Sequence, residues 1–478
     1  MRKAIIESRG KLLLENFFIY GMGNILTKVV PFLMLPILTR LVTDPVVFGV
    51  FDIYTVVIRF ATPIAVLGCY DAMFRLFFDD SDSQFHRQIC SSSLAIVSSI
   101  SVLILIVSLI LYASDVAFAD GYGWLIPIAG MVIASGAIRE IIAAPSRMQN
   151  QRKRIILLSL LAPFVYYLIA MTLAWQGKPL EGLVYGNMVS SFIVLMIYGI
   201  LNHAFFSPKA IKKEHIRGLL KMGIPLTPTF LTYWVFTSCD RFMLSRMIGL
   251  EAVGLYGIGA RFSSISQGIY MAFAGGWQYF AFSTMKDEDH TRLMSHVFEV
   301  LGILSVASLF FLLPFVDWFF ELIVGETYRK ASVVFPFLFL SPLLLMLYQI
   351  LGSQLLVVKK GYLSTVILSF GAVTNVVLNW VLIPRMGIKG AAIATLLGYV
   401  VSLALAFAIV KKMRLIYGSW RVNIIFGCGG LSLILANLQP NITIVISFVF
   451  LVLILAIYFS EIKKLIPSLW KMPLCKKE

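Results

Sequence analysis

The stretch Leu38-Thr-Arg-Leu-Val-Thr-Asp-Pro-Val-Val-Phe-Gly49-Val-Phe51 recurs, one residue shorter, as Leu244-Ser-Arg-Met-Ile-Gly-Leu-Glu-Ala-Val-Gly254-Leu-Tyr256. Each copy joins two long apolar segments, and the offset of about 205 residues divides the 478-residue chain into similar halves. Six apolar segments separate the copies. An even number of membrane crossings preserves direction, so a duplication would produce parallel repeats related by an axis along the membrane normal. Folds of that kind place a solute site between the halves near mid-membrane. A shared turn would also explain the match, with Gly for tight backbone and small or aromatic residues at a helix interface.

Working outward from the repeat, apolar windows of about 20 residues fall near 17–39, 47–69, 90–112, 124–145, 155–175, 182–204, 223–246, 253–281, 294–323, 331–357, 362–383, 387–410, 421–438 and 440–460. The chain is 59% hydrophobic and 13% charged, with a mean hydropathy of +0.89, outside the usual range of water-soluble domains. The expected fold is therefore an all-α polytopic membrane protein with about 14 transmembrane helices. Its expected parts are an N-terminal six-helix bundle (1–205), a C-terminal six-helix bundle (206–412), and helices 13 and 14 with a basic tail (413–478). The connections are too short to fold a soluble catalytic domain, so an enzyme is not expected. The basic start precedes an apolar stretch too long for a signal-peptide core, so the first helix is expected to be retained.

A net charge of +16 raises the question of nucleic acid, but the positions of the charges argue otherwise. Lys and Arg alternate between dense and sparse loops, 28 on one side and 7 on the other. That bias sets both termini in the cytoplasm, and the basic loops then serve to hold anionic headgroups. The five cysteines show neither a disulfide framework nor metal-ligand spacing. No metal or cofactor is expected.

Five cations lie inside the apolar segments: Lys28, Arg59, Arg139, Arg241 and Arg261. Each costs about 2.5 to 3.5 kcal/mol near a bilayer centre, a large opposition to insertion that points to an anion pathway. On the second segment Asp52, Thr55, Arg59 and Thr62 share one helical face. Tyr20, Asn24, Thr27, Lys28 and Pro31 form a similar stripe on the first. The corresponding pair in the second half repeats the theme with Thr229, Tyr233, Thr237, Asp240 and Arg241, then Arg261, Ser264 and Gln267. Four polar stripes are expected to face one another across a hydrated cavity; internal ion pairs, such as Asp52 with Arg59, are the structural alternative. Arg139 adjoins Glu140 close enough to a helix end to snorkel. Asn375 and Asn379, four residues apart, are candidates either for polar lining or for amide bonds between helices. Guanidinium matches phosphate oxygens in bidentate fashion, and ammonium acts as a point charge. A cation in transit would be repelled. Coupling to an H+ or Na+ gradient would use Asp52, Glu140 or Asp240.

The later segments carry Asn375-Val-Val-Leu-Asn379-Trp-Val-Leu-Ile-Pro384-Arg-Met-Gly387-Ile-Lys-Gly390-Ala-Ala-Ile-Ala-Thr395. This stretch, with Leu41-Val-Thr-Asp-Pro-Val-Val-Phe-Gly49 and Cys239-Asp-Arg-Phe-Met-Leu-Ser-Arg246, resembles the bacterial polysaccharide transporters. These are the O-antigen (Wzx-type) oligosaccharidyl-lipid flippases of the multidrug/oligosaccharidyl-lipid/polysaccharide (MOP) superfamily. The resemblance implies two six-helix bundles in a V shape plus two C-terminal helices. It implies alternating-access transfer of undecaprenyl-pyrophosphate-linked oligosaccharide between leaflets of the bacterial inner membrane, for O-antigen or capsule synthesis. It further implies a monomer that works beside a polysaccharide polymerase and a chain-length regulator, with membrane lipid and no nucleic acid as partners. Helices 13 and 14 would offer a groove for the lipid tail or simply pack against lipid. A multidrug or lipid II type exporter of the same fold is the alternative.

Overall fold

The computed structural model describes residues 30–469, apart from 81, 117, 119, 120, 150, 286, 419 and 439–441. The expected sites Lys28 and Asn24, with most of the first segment, lie outside the described residues. Every regular element among the described residues is helical. In chain order these are α1 (Val30–Leu41), α2 (Pro45–Val66), α3 (Cys69–Phe77), α4 (Ser83–Ala113), α5 (Leu125–Met148), α6 (Arg152–Trp175), α7 (Pro179–Asn202) and α8 (Lys213–Gly223). There follow α9 (Thr227–Trp234), α10 (Asp240–Met247), α11 (Leu250–Ser283), α12 (His290–Leu312), α13 (Val316–Ile323), α14 (Phe335–Val357), α15 (Gly361–Lys412), α16 (Trp420–Leu438) and α17 (Thr443–Leu469).

Eight helical stretches among the described residues are long and apolar enough to cross a bilayer, and shorter apolar helices occupy parts of the first, thirteenth and fourteenth expected spans. A chain without water to satisfy its backbone must close its hydrogen bonds within helices, and the sequence supplies the stops. Asp44 caps α2, its Oδ1 accepting from the Val46 amide at 2.9 Å, and Pro45 takes the first turn, where no amide donor is needed. Leu67 and Gly68, both at positive φ, end α2 and begin α3. The expected spans 362–383 and 387–410 form α15, which reverses at Gly387 (φ 59°, ψ −137°), a conformation that suits glycine. The two arms of this hairpin touch at Gly371 and Gly398.

The expected span 223–246 is not one helix. A 3-10 turn at 224–226 leads into α9, and a π-helical turn at 235–239 separates α9 from α10. Pro225 and Pro228 remove two amide donors where an uninterrupted α-helix would have needed them, and a π turn is a recurrent feature of functional sites.

The helices pack as two lobes, α2 and α4–α7 in one and α11–α15 in the other, joined chiefly where α2 crosses α11. The repeated sequence forms this crossing reciprocally. A Cβ on Gly49 would lie 1.9 Å from the Leu250 carbonyl oxygen, and one on Gly254 would lie 2.0 Å from that of Pro45. Each glycine thus admits the start of its counterpart's helix. At the other end of α2, Gly68 and Gly223 approach backbone to backbone in the same way. Gly254→Val is therefore expected to force the lobes apart at a cost above the about 1 to 3 kcal/mol typical of overpacking. The check is the yield of monodisperse protein on size exclusion, which should collapse relative to Ala252→Val at the neighbouring turn.

Candidate functional site

A cavity of about 460 Å³ opens between α2, α5, α6 and α7 on one side and α10 and α11 on the other. From α2 it receives Asp52, Thr55, Arg59 and Thr62, the four residues of the polar stripe. Arg139 enters from α5, and Arg241 and Arg261 from the other lobe. Four guanidiniums and one carboxylate thus share a space enclosed by apolar helices.

The carboxylate is committed to the opposite lobe. Arg261 Nη2 donates to Asp52 Oδ1 at 2.5 Å, and Arg241 Nε lies 3.5 Å from Asp52 Oδ2. Gly257 makes room for this, since a Cβ there would fall 1.8 Å from Asp52 Oδ2. Arg241 also lies 3.6 Å from Asp240 Oδ1 and donates from Nη1 to the Thr237 carbonyl at 2.7 Å. The wide π turn frees that carbonyl from its usual place in an α-helical ladder. Asp240 is buried and accepts a hydrogen bond from the Tyr256 hydroxyl. The Arg261 guanidinium sits 5.0 Å from the Phe48 ring centroid, that of Arg241 5.4 Å from the Tyr256 ring, cation–π contacts that offset part of the burial cost.

Arg59 and Arg139 differ. Both line the cavity, and neither has a carboxylate or hydrogen-bond partner among the described residues. The expected alternative, Asp52 paired with Arg59 along α2, does not form; Asp52 reaches across to the other lobe instead. The buried Arg261 Nη1 likewise has no partner. Leaving guanidinium donors unmade inside a membrane protein is costly, and such groups inside a bilayer mark sites of function.

Several expected lining residues are elsewhere. Asn375 and Asn379 are fully buried in the α15 hairpin, Asn375 Nδ2 donating to Thr395 Oγ1 at 3.2 Å and Asn379 Nδ2 to Asn375 Oδ1 at 3.3 Å. They join helix to helix and do not line the cavity. Gln267 follows Arg261 by six residues, about 240° around a helix, and so leaves the cavity face. Thr237 does not line it either and contributes its carbonyl to Arg241, its hydroxyl bonding the Tyr233 carbonyl at 3.0 Å. Glu140 lies off the cavity, toward the α5 end where Arg147 donates to the Tyr70 hydroxyl at 3.2 Å. Asp240 stands behind Arg241 and does not itself line the space.

Sequence reading passed over the wall made by Tyr166 and Tyr167 of α6 with Asn187, Ser190 and Ser191 of α7. The i, i+3, i+4 spacing of the last three was the available signal. A second cavity of about 630 Å³ lies between α12, α14, α15 and α16 and is lined almost wholly by apolar side chains, among them Phe298, Phe310, Leu344, Phe407, Phe426 and Leu433.

The two-lobed helical fold around a cationic cavity is that of a membrane transporter. The chain belongs to the polysaccharide biosynthesis protein family, whose model matches residues 13–283, more than half its length. A second family model, MatE, matches residues 225–381. Among its relatives, the probable flippase AglR of Haloferax volcanii is 23% identical over 379 residues, 76% of each chain. The uncharacterized membrane protein MJ1375 of Methanocaldococcus jannaschii is 26% identical over 37% of this chain and 42% of its own. The fold is shared with the lipid II flippase MurJ in an inward closed conformation (TM-score 0.66, 14% identity, 92% of this chain and 99% of that one). It is shared equally with an inward-facing multidrug resistance MATE family transporter (TM-score 0.65, 14% identity, 84% and 97%).

Proposed function

We propose that the protein flips undecaprenyl-pyrophosphate-linked oligosaccharide units from the inner to the outer leaflet of a bacterial cytoplasmic membrane, for O-antigen or capsule synthesis. The observation that carries this reading is the four-to-one excess of guanidinium over carboxylate among the described cavity residues, with Arg59 and Arg139 unpaired among them. Pyrophosphate supplies several negative charges and acceptor oxygens in the geometry a guanidinium prefers. A volume of about 460 Å³ falls within the about 300 to 1,000 Å³ common for small-ligand pockets; it suits a headgroup with its first sugar. The apolar cavity against α16 would hold the lipid tail. Among the described residues that cavity takes no lining from α17, so the tail is assigned to α16 with the C-terminal lobe.

The lobes would rock about the α2–α11 crossing, exchanging access from one leaflet to the other. Asp52 and Asp240, each beside a cavity arginine, are the carboxylates through which an H+ or Na+ gradient would act; Glu140 follows Arg139 in the chain but does not line the cavity. A polymerase and a chain-length regulator would receive the product. Lipid II type export of the same fold shares the pyrophosphate, and supplying each lipid-linked donor in a translocation assay separates the two. A multidrug exporter of cations is disfavoured by the charge of the lining. Purified protein is accordingly expected to bind farnesyl pyrophosphate, with affinity falling as salt rises, and to ignore ethidium; tight ethidium binding with no pyrophosphate binding would reverse the assignment.

A further inference from the structure

The hydrogen-bonding capacity of the cavity is spent unevenly. Its serines and threonines bond carbonyls of their own helices or one another: Thr55 to Asp52 O at 2.8 Å, Thr62 to Ile58 O at 2.7 Å, Ser190 to Asn187 O at 3.0 Å, Ser191 to Ser135 at 3.1 Å. Asp52 is occupied by two arginines. What remains unpartnered among the described residues falls into two sets. One is cationic: Arg59, Arg139 and the Nη1 of Arg261. The other is neutral: the hydroxyls of Tyr166 and Tyr167 and the amide of Asn187, whose Oδ1 is buried without a partner.

The neutral set could donate to phosphate through its phenols and Asn187 Nδ2, but phosphate leaves its acceptors, the buried Asn187 Oδ1 above all, without a partner. A fully ionised phosphate offers acceptors and no donor, and guanidinium offers donors and no acceptor. The acceptor lone pairs of two phenols and a carboxamide are matched only by a ligand that also carries donors, such as hydroxyl or amide N–H groups. The ring geometry points the same way. Tyr166 lies flat against Phe51, centroids 6.2 Å apart at 24°, and meets Tyr167 edge-on at 4.7 Å and 76°. Two rings near a right angle form an apolar corner with polar tips, shaped for the carbon face of a pyranose whose rim bears hydroxyls. Both tyrosines line the same cavity as Arg59, Arg241 and Arg261, so a sugar in the corner would have its anomeric phosphate on the side of the guanidiniums.

We infer that Tyr166, Tyr167 and Asn187 form the sugar-recognising pole of the cavity and select the first sugar attached to pyrophosphate. This rests on the pyrophosphate reading above and assigns the other end of the same ligand. Asn187 reads the sugar's polar rim, and a half-turn about its terminal torsion presents either amide atom. The tyrosine corner holds the ring. A site with buried polar groups discriminates strongly against ligands that leave them unpaired.

The test uses the full chain purified in detergent, with farnesyl pyrophosphate as the bare probe and farnesyl-pyrophosphoryl glucose, galactose and N-acetylglucosamine as sugar-bearing probes. At least one sugar-bearing probe should bind wild type about tenfold tighter than the bare one, the scale of one or two neutral hydrogen bonds. Tyr166→Leu and Asn187→Leu should bring that ratio to within about twofold, and Arg59→Gln should weaken all probes while preserving it. A bare probe that binds while no sugar improves on it overturns the sugar pole and leaves the pyrophosphate reading standing. So does a ratio that survives in both leucine variants, or a loss of all binding in either. If wild type fails to bind the bare probe, the pyrophosphate reading falls and takes the sugar pole with it.

Discussion

Arg59→Gln is expected to cut binding of farnesyl pyrophosphate, and translocation of the pyrophosphate-linked oligosaccharide, by roughly 30-fold to several thousand-fold, the equivalent of about 2 to 5 kcal/mol for losing one partner of a desolvated charge pair. Arg59 lies past the middle of α2, lines the cavity and spends its guanidinium on no partner among the described residues. Removing it therefore breaks no internal pair, and the loss falls on the ligand. The same change removes one of the four guanidiniums that share the cavity, and with it their mutual repulsion. The variant's melting temperature in detergent should accordingly rise while its transport disappears, the usual opposition between stability and a site built for function. Arg59→Lys should recover part of the binding, because a point charge remains while the bidentate fork is lost. The measurements are probe affinity, melting temperature and complementation of a strain lacking its own flippase. Full transport by Arg59→Gln at wild-type abundance would remove the cationic cavity from the mechanism.

The helical architecture was legible because a bilayer imposes one backbone solution on any apolar stretch of sufficient length. The face of α2 was legible for a related reason: Asp52, Thr55, Arg59 and Thr62 obey the helical period, and all four line the cavity. Periodicity fails where the helix does. Around 224–239 the prolines and the π turn change the phase, and Thr237 leaves the face its spacing suggested. Gln267 was misplaced by extending a stripe past the point where α11 rotates away. Asn375 and Asn379 could not be sorted by spacing, since amides that join helices and amides that line a cavity share the same period. The pairing of Asp52 with Arg261, 209 residues away, depends on how the lobes dock, and local pattern carries no such information. The repeat came nearest to supplying it, for Gly49 and Gly254 occupy matching positions and each receives the other's partner helix. Tyr166 and Tyr167 escaped notice because phenols in an apolar helix look like packing until their hydroxyls are found without partners.

Asp52→Asn should separate stability from affinity in the opposite sense. Asp52 bridges Arg241 and Arg261 from the other lobe, with Arg261 held at 2.5 Å. Neutralising it strands two half-buried guanidiniums, and breaking one side of a fully buried pair costs about 3 to 5 kcal/mol, an upper bound here. Asp240 retains Arg241 at 3.6 Å and softens the loss there, so Arg261, whose Nη1 already lacks a partner, bears most of it. The empty protein should therefore melt earlier than wild type. Yet the carboxylate also occupies the donors that a phosphate would use. Its removal should tighten farnesyl pyrophosphate binding by about tenfold, or about 1.4 kcal/mol, and saturating probe should restore stability more fully in the variant than in wild type, because a ligand that binds only the folded state adds to stability in proportion to the logarithm of its excess over Kd. Tighter holding slows release, so transport should fall although binding improves. A purely structural Asp52 would instead lower melting temperature, affinity and transport together. That outcome would mean that phosphate and carboxylate do not compete for the same arginines, and that Arg241 and Arg261 fasten the lobes without serving the ligand.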